Sequence, residues 1–320
     1  MEFHDYIINY ALQDDKDIQL KTSLRQEFFE LKGDAIESTP KKGEFFKHQD
    51  LFTRYLRQYD RIFNIHETGT GKTGSIIDAA ETFRRESVGI ERVIIIEPGK
   101  PTLEDFKSQI VKFYPEEYGD SASNSDFIRK RNITKKIDKW YTLETYEAFS
   151  NKLSKITLEE MEEQFSNTMF FLDEAHRMRN YGDSDNEDEN IYNNLWKLLH
   201  TAKRTKVVVG TATPLVNSVN DFVPLLNLLL PNDYQLPIKN WNYSNVTLNQ
   251  LEPYLRGKVS FVRSLDTGVN IKYMGSKINY EHKYKRPIEA QDNPIVHISK
   301  TIDDKGFIVE DKEPKQKMNN

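Results

Sequence analysis

Arg61-Ile62-Phe63-Asn64-Ile65-His66-Glu67-Thr68-Gly69-Thr70-Gly71-Lys72-Thr73, running on into Gly74-Ser75-Ile76-Ile77-Asp78-Ala79-Ala80-Glu81-Thr82-Phe83, decides the fold. A short apolar run enters a glycine-rich turn, and the turn enters a segment with Ile76, Ile77, Ala80 and Phe83 on one helical face. Strand, loop and helix in that order are the setting a phosphate loop requires. Gly69 and Gly71 let backbone N–H groups close around phosphate oxygens, and the helix start adds partial positive charge. Lys72 can reach the terminal phosphates of a nucleotide, and the Thr73 hydroxyl can hold Mg²⁺. The strict pattern has glycine where this chain has His66. Since Gly-x-Gly-Lys-Thr also occurs in ordinary turns, its meaning depends on the chemistry elsewhere in the chain.

Three more short apolar runs lie downstream: Val93-Ile94-Ile95-Ile96, Met169-Phe170-Phe171-Leu172 and Val207-Val208-Val209. Separated by amphipathic segments, they read as strands of a mostly parallel sheet covered by helices on both faces, where ligands sit at the carboxyl ends of strands. The Met169 run releases Asp173-Glu174-Ala175-His176 at its carboxyl end. Adjacent carboxylates repel unless a cation or a task accounts for them. Asp173 is placed to hold Mg²⁺, and Glu174 to orient and deprotonate a water attacking a γ-phosphate. The Val207 run leaves into Gly210-Thr211-Ala212-Thr213-Pro214, where Thr211 and Thr213 can exchange hydrogen bonds with Asp173 or His176.

Residues 1–43 read as a polar helical extension with Leu20, Leu24, Phe28 and Leu31 at helical spacing. Residues 44–265 form the α/β domain, and residues 266–320 a linker and polar tail whose last twenty residues are expected to be disordered. Residues 115–139, rich in Lys and Arg, and the acidic residues 181–190 look like insertions. The chain has 320 residues, 45 Lys and Arg against 50 Asp and Glu, and a net charge of −5, which excludes a passive nucleic-acid coat protein. With no cysteine there is no disulfide framework, Cys-ligated zinc module or thiol nucleophile. Neither a signal peptide nor a membrane-spanning run is visible, so an intracellular protein without a membrane partner is expected.

These residues resemble the superfamily 2 DEAD/DEAH-type helicases and translocases. Residues 210–218 with Asp221-Phe222 and Leu225-Leu226-Asn227-Leu228-Leu229 are similar to the Swi/Snf-type branch. Residues 66–73 resemble the poxvirus-type transcription ATPases, namely the nucleoside triphosphate phosphohydrolase I group and the small subunit of the early transcription factor. Residues 255–261 also look like the end of their first RecA-like domain. The resemblance covers residues 43–265 and implies a RecA-like P-loop NTPase that uses ATP and Mg²⁺, with Thr68, Gly69, Thr70, Gly71, Lys72 and Thr73 on the phosphates. It implies that Gln49 reads adenine, that His176, Thr211 and Thr213 couple nucleotide state to neighbouring loops, and that Pro98, Gly99, Lys100, Thr145 and Tyr146 face a nucleic acid, DNA rather than RNA. It also implies a second RecA-like domain carrying an arginine finger, which this chain does not show, so weak hydrolysis by the chain alone is expected. A role in viral transcription beside RNA polymerase, in a virion or host cytoplasm, comes from the same resemblance. The competing reading is a non-catalytic ATP-binding regulatory or docking subunit of a transcription complex.

Overall fold

The computed structural model describes residues 13, 15–25, 28, 31, 45–67, 69–86, 89–120, 125–180, 187–212, 219–238, 243, 246–262, 300–303 and 305–310. Strands β1 (Arg61–His66), β2 (Arg92–Glu97), β3 (Tyr141–Thr145), β4 (Thr168–Leu172), β5 (Lys206–Gly210) and β6 (Val259–Val262) form one sheet. Its order is β3-β2-β4-β5-β1-β6, and every pairing is parallel. This is a RecA-like α/β fold.

The helices, in chain order, are α1 (Ile18–Ser23), α2 (Lys47–Gln58), α3 (Lys72–Glu86), α4 (Lys100–Phe113), α5 (Pro115–Tyr118), α6 (Asp126–Ile137), α7 (Tyr146–Leu153), α8 (Leu158–Phe165), α9 (Glu187–Thr201), α10 (Val223–Asn227) and α11 (Leu248–Leu255). Side chains alternate across the strands, so Ile62, Ile95, Phe171 and Val208 pack under α2, α3 and α4. Phe63, Ile94, Ile96, Phe170, Leu172, Val207 and Val209 pack on the opposite face, under α7 to α10. Burial on both faces is why these strands are uninterrupted apolar runs rather than alternating ones. Parallel pairing also brings the exits of β1, β2, β3, β4 and β5 to one edge of the sheet.

Four sequence expectations are corrected. In the amino-terminal segment Leu20 and Leu24 are exposed, while Ile18 and Phe28 are buried. Ile18 packs where Gly257 leaves room: a Cβ at that glycine would stand 2.8 Å from Ile18 Cδ1. Residues 115–139 are not an insertion in the fold; α5 and α6 carry the chain from β2 to β3, with Tyr118 and Ile137 buried in the core. The acidic stretch 181–190 is not all loop, because α9 already begins at Glu187, while residues 181–186 lie outside the described ones. The tail is ordered in part: β7 (Lys300–Ile302) pairs antiparallel with β8 (Ile308–Glu310). The Lys300 N–H donates to the Asn232 carbonyl at 3.0 Å, and Ile302 and Ile308 pack against the core.

Candidate nucleotide site

The phosphate loop leaves β1 at His66 and enters α3 at Lys72. Gly69 and Gly71 both adopt left-handed backbone, with φ of 85° and 83°. A Cβ at Gly71 would also stand 2.6 Å from Gln49 Nε2, so glycine is needed there for space as well as for conformation. Gln49 is buried at the start of α2; its Nε2 donates to the Gly71 carbonyl at 2.9 Å, and its Oε1 accepts the Phe46 N–H at 2.8 Å. His48 Nε2 lies 2.8 Å from the Thr70 carbonyl, and the Thr70 hydroxyl donates to the Glu67 carbonyl at 2.7 Å. Thr73 occupies the first turn of α3. Thr68 lies outside the described residues.

From the loop Lys72 crosses to the exit of β4. Its ammonium pairs with Asp173 and stands 3.1 Å from Glu174 Oε1. Burial opposes the lysine's charge, but Asp173 and Glu174 outweigh it and hold Lys72 above its ordinary value. Burial likewise pushes the Asp173 carboxyl up, against the pull of Lys72. Glu174 sits in left-handed backbone at φ 47°, a conformation uncommon for a residue with a side chain. Its N–H donates to Asp173 Oδ1 at 2.9 Å, closing a tight turn that aims both carboxylates at Lys72. His176 Nδ1 lies 3.0 Å from Glu174 Oε2 and 3.2 Å from the hydroxyl of Thr211. Thr211, fully buried at the exit of β5, donates its N–H to the Asn64 carbonyl of β1. The loops after β1, β4 and β5 are thereby tied side by side. Thr213 lies outside the described residues.

The exits of β2 and β3 are less uniform. Gly99 precedes α4, whose first residue, Lys100, is exposed, with Pro98 half-buried beside it. Thr145 caps α7, accepting the Ala148 N–H at 3.3 Å. Tyr146 is buried and donates its hydroxyl to the Asp173 carbonyl at 2.7 Å, so its side chain braces the acidic turn. That removes the Tyr146 side chain from the set expected to face nucleic acid.

The residue string assigned no role to Glu97 and no partner to His66. Glu97, the last residue of β2, is buried, and burial together with the nearby Asp173 pushes its carboxyl up to about 8. His66 is fully buried with its Nε2 3.0 Å from the Ser260 hydroxyl of β6, and burial pulls its imidazole down to about 3. A carboxylic acid on the strand beside Asp173 carries no motif, whereas the histidine in a glycine position was a signal without a partner. A cavity of about 340 Å³ between α2 and α3, lined by Phe28, Thr53, Arg54 and Asp78 among others, lies beyond the phosphate loop and takes no part in this arrangement.

Residues 26–216, more than half of the chain and the stretch holding both the phosphate loop and the acidic turn, match the family described as type III restriction enzyme, res subunit. The chain belongs to that family. With the fold above, it is a RecA-like domain of the superfamily 2 helicase kind. Among its relatives, "Putative helicase 087L" of Invertebrate iridescent virus 3 is 29% identical over 283 residues, covering 82% of this chain and 28% of that protein. "Putative helicase 009L" of Frog virus 3 is 25% identical over 256 residues, covering 75% and 26%. This chain thus spans about a quarter of the length of those relatives. The SWI2/SNF2 ATPase core of Sulfolobus solfataricus in complex with dsDNA aligns at TM-score 0.49 with 18% identity, over 74% of this chain and 48% of that one.

Proposed function

We propose that the chain is the nucleotide-binding half of a nucleic-acid-dependent ATPase. The observation that carries this reading is the reach of Lys72 from the phosphate loop to Asp173 and Glu174, which puts a loop able to cradle phosphate within one side chain's length of a paired carboxylate. ATP lies along residues 68–73, its phosphates on the loop amides and the start of α3. Lys72 then exchanges the two carboxylates for phosphate oxygens. Gln49, already spent on Gly71 and Phe46, holds the loop closed beside the adenine. The donor set suits Mg²⁺: the Thr73 hydroxyl and Asp173, a buried carboxylate that here shares a cation, the Lys72 ammonium, with Glu174. When bound, the ion neutralises charge on the β- and γ-phosphates.

Glu174 accepts the proton of the attacking water. His176 steadies that carboxylate and, through Thr211, links it to the exit of β5. Pro98, Gly99, Lys100 and Thr145 face a nucleic-acid backbone. A second RecA-like domain supplies an arginine worth about 10³ to 10⁵ in rate, so the first domain alone turns over slowly. DNA is the reading for the nucleic acid; four viral relatives carry names beginning "Putative ATP-dependent RNA helicase", which makes RNA the outcome to test against. Viral transcription is the proposed setting, from the likeness of residues 66–73 to the poxvirus-type ATPases. An intact Glu174 held by His176 favours an enzyme over a docking subunit.

Phosphate release by the chain joined to its second domain tests the catalytic assignment. Glu174→Gln is expected to lower turnover by roughly 10² to 10⁴ while ATP binding persists. Unchanged turnover would move the function to a binding module.

A further inference from the structure

Helix α6 packs onto the sheet through Ile133 and Ile137, four residues apart on one face. At about 100° per residue, the opposite face collects Phe127, Ile128, Arg131 and Lys135 within a single arc. All four are exposed, Phe127 at 76% and Ile128 at 49%. Lys139, just past the end of α6, is also exposed, as is Lys130 at the margin of the packed face. Among the described residues Lys130, Arg131, Lys135 and Lys139 make no ion pair, whereas Lys152, Lys203, Lys206 and Arg256 each have an acidic partner. In a chain of net charge −5, unneutralised cations gathered beside a bare aromatic ring are not an average surface.

Their position adds to this. The connection leads from α6 straight into the amino end of β3, an edge strand of the sheet.

We infer that the outer face of α6 is a binding surface for single-stranded nucleic acid, with phosphates on Arg131, Lys135 and Lys139 and an unstacked base on Phe127. Cations alone suit any polyanion. The exposed ring is what selects a strand with free base faces, because a duplex keeps its bases stacked inside and offers the ring nothing. The inference rests on the nucleic-acid reading above and extends it to residues outside the strand exits.

The test is fluorescence anisotropy of a labelled oligothymidylate of twenty nucleotides over a range of salt, with the thermal melt of each variant as the control for folding. Phe127→Ala is expected to weaken binding about fivefold to a hundredfold. The triple change Arg131→Gln, Lys135→Gln, Lys139→Gln is expected to flatten the salt dependence by about two in log–log slope. Both variants should melt as the unmodified protein does. If the unmodified protein binds and neither variant changes affinity or slope, the surface is refuted while the nucleic-acid reading stands. If the unmodified protein binds neither the oligothymidylate nor a labelled oligouridylate, the surface is refuted; if it also binds no duplex of the same length, the nucleic-acid reading falls with it. If poly-glutamate displaces the oligonucleotide at equal charge and Phe127→Ala has no effect, the face serves an acidic protein instead.

Discussion

Glu97 shows how the site stores electrostatic cost in a single side chain. Its carboxyl titrates near 8 in the folded protein against 4.5 when unperturbed, because burial and the neighbouring Asp173 disfavour its charge. Folding therefore takes up a proton between those values, and stability falls as pH rises through that window. Asp78, pushed up to about 6 by burial, acts in the same sense but has finished by then. His66 and His200, pulled down to about 3 and 4 by burial, act oppositely, adding stability as pH rises toward about 6.5, and add no more above it. Between about 6.5 and 8 the Glu97 contribution stands alone among these four. Stability without nucleotide is expected to fall there by up to roughly 1.4 kcal/mol per pH unit. Denaturant melts at a series of pH values check this: Glu97→Gln should flatten the fall, and a slope that survives the substitution would place its origin elsewhere. None of this was legible in the residue string. Glu97 follows an apolar run as any strand-capping acid does, and only the pairing of β2 with β4 sets it beside Asp173.

At the scale of elements, the phosphate loop is held from two sides. Gln49 and His48 of α2 grip the carbonyls of Gly71 and Thr70, and β6 grips the approach to the loop. The Glu67 N–H donates to the Val262 carbonyl at 3.1 Å, and His66 meets Ser260. A histidine in the first position of the loop motif thus replaces glycine's freedom with a tether to the strand after α11. Changing His66→Gly, which restores the strict motif, is expected to cost about 3 kcal/mol by emptying a fully buried site. Its thermal melt checks this, and an unchanged midpoint would mean the imidazole contributes no packing. The loop, the acidic turn and four of the strands were legible because each joins a short apolar run to chemistry within a few residues. The tether was not, because its partners are 194 residues apart and meet only through the register of β1 with β6. Tyr146 was misjudged for a related reason. A tyrosine opening a helix at a strand exit has two ways to face, and packing under Asp173 chose the inward one.

Across the whole molecule, parallel pairing gathers the exits of β1, β4 and β5 around Lys72, and the exits of β2 and β3 beside them. Everything proposed for catalysis sits on that edge, while the sheet's two faces are spent on core. From their polar composition, residues 1–43 were expected to be a helical extension and residues 266–320 a linker and a tail disordered over its last twenty residues. Yet Ile18, Phe28, Ile302 and Ile308 reach the core or its margin, a few apolar anchors in otherwise solvated stretches. Calorimetric titration of ATP with Mg²⁺ into the protein and its Lys72→Ala variant tests the shared site most directly. With the variant's fold verified by its thermal melt, the loss of Lys72 is expected to weaken ATP by roughly a hundredfold, the scale of two charge-assisted contacts to phosphate. Equal affinity for the two proteins would mean that the triphosphate does not lie between this loop and the acidic turn.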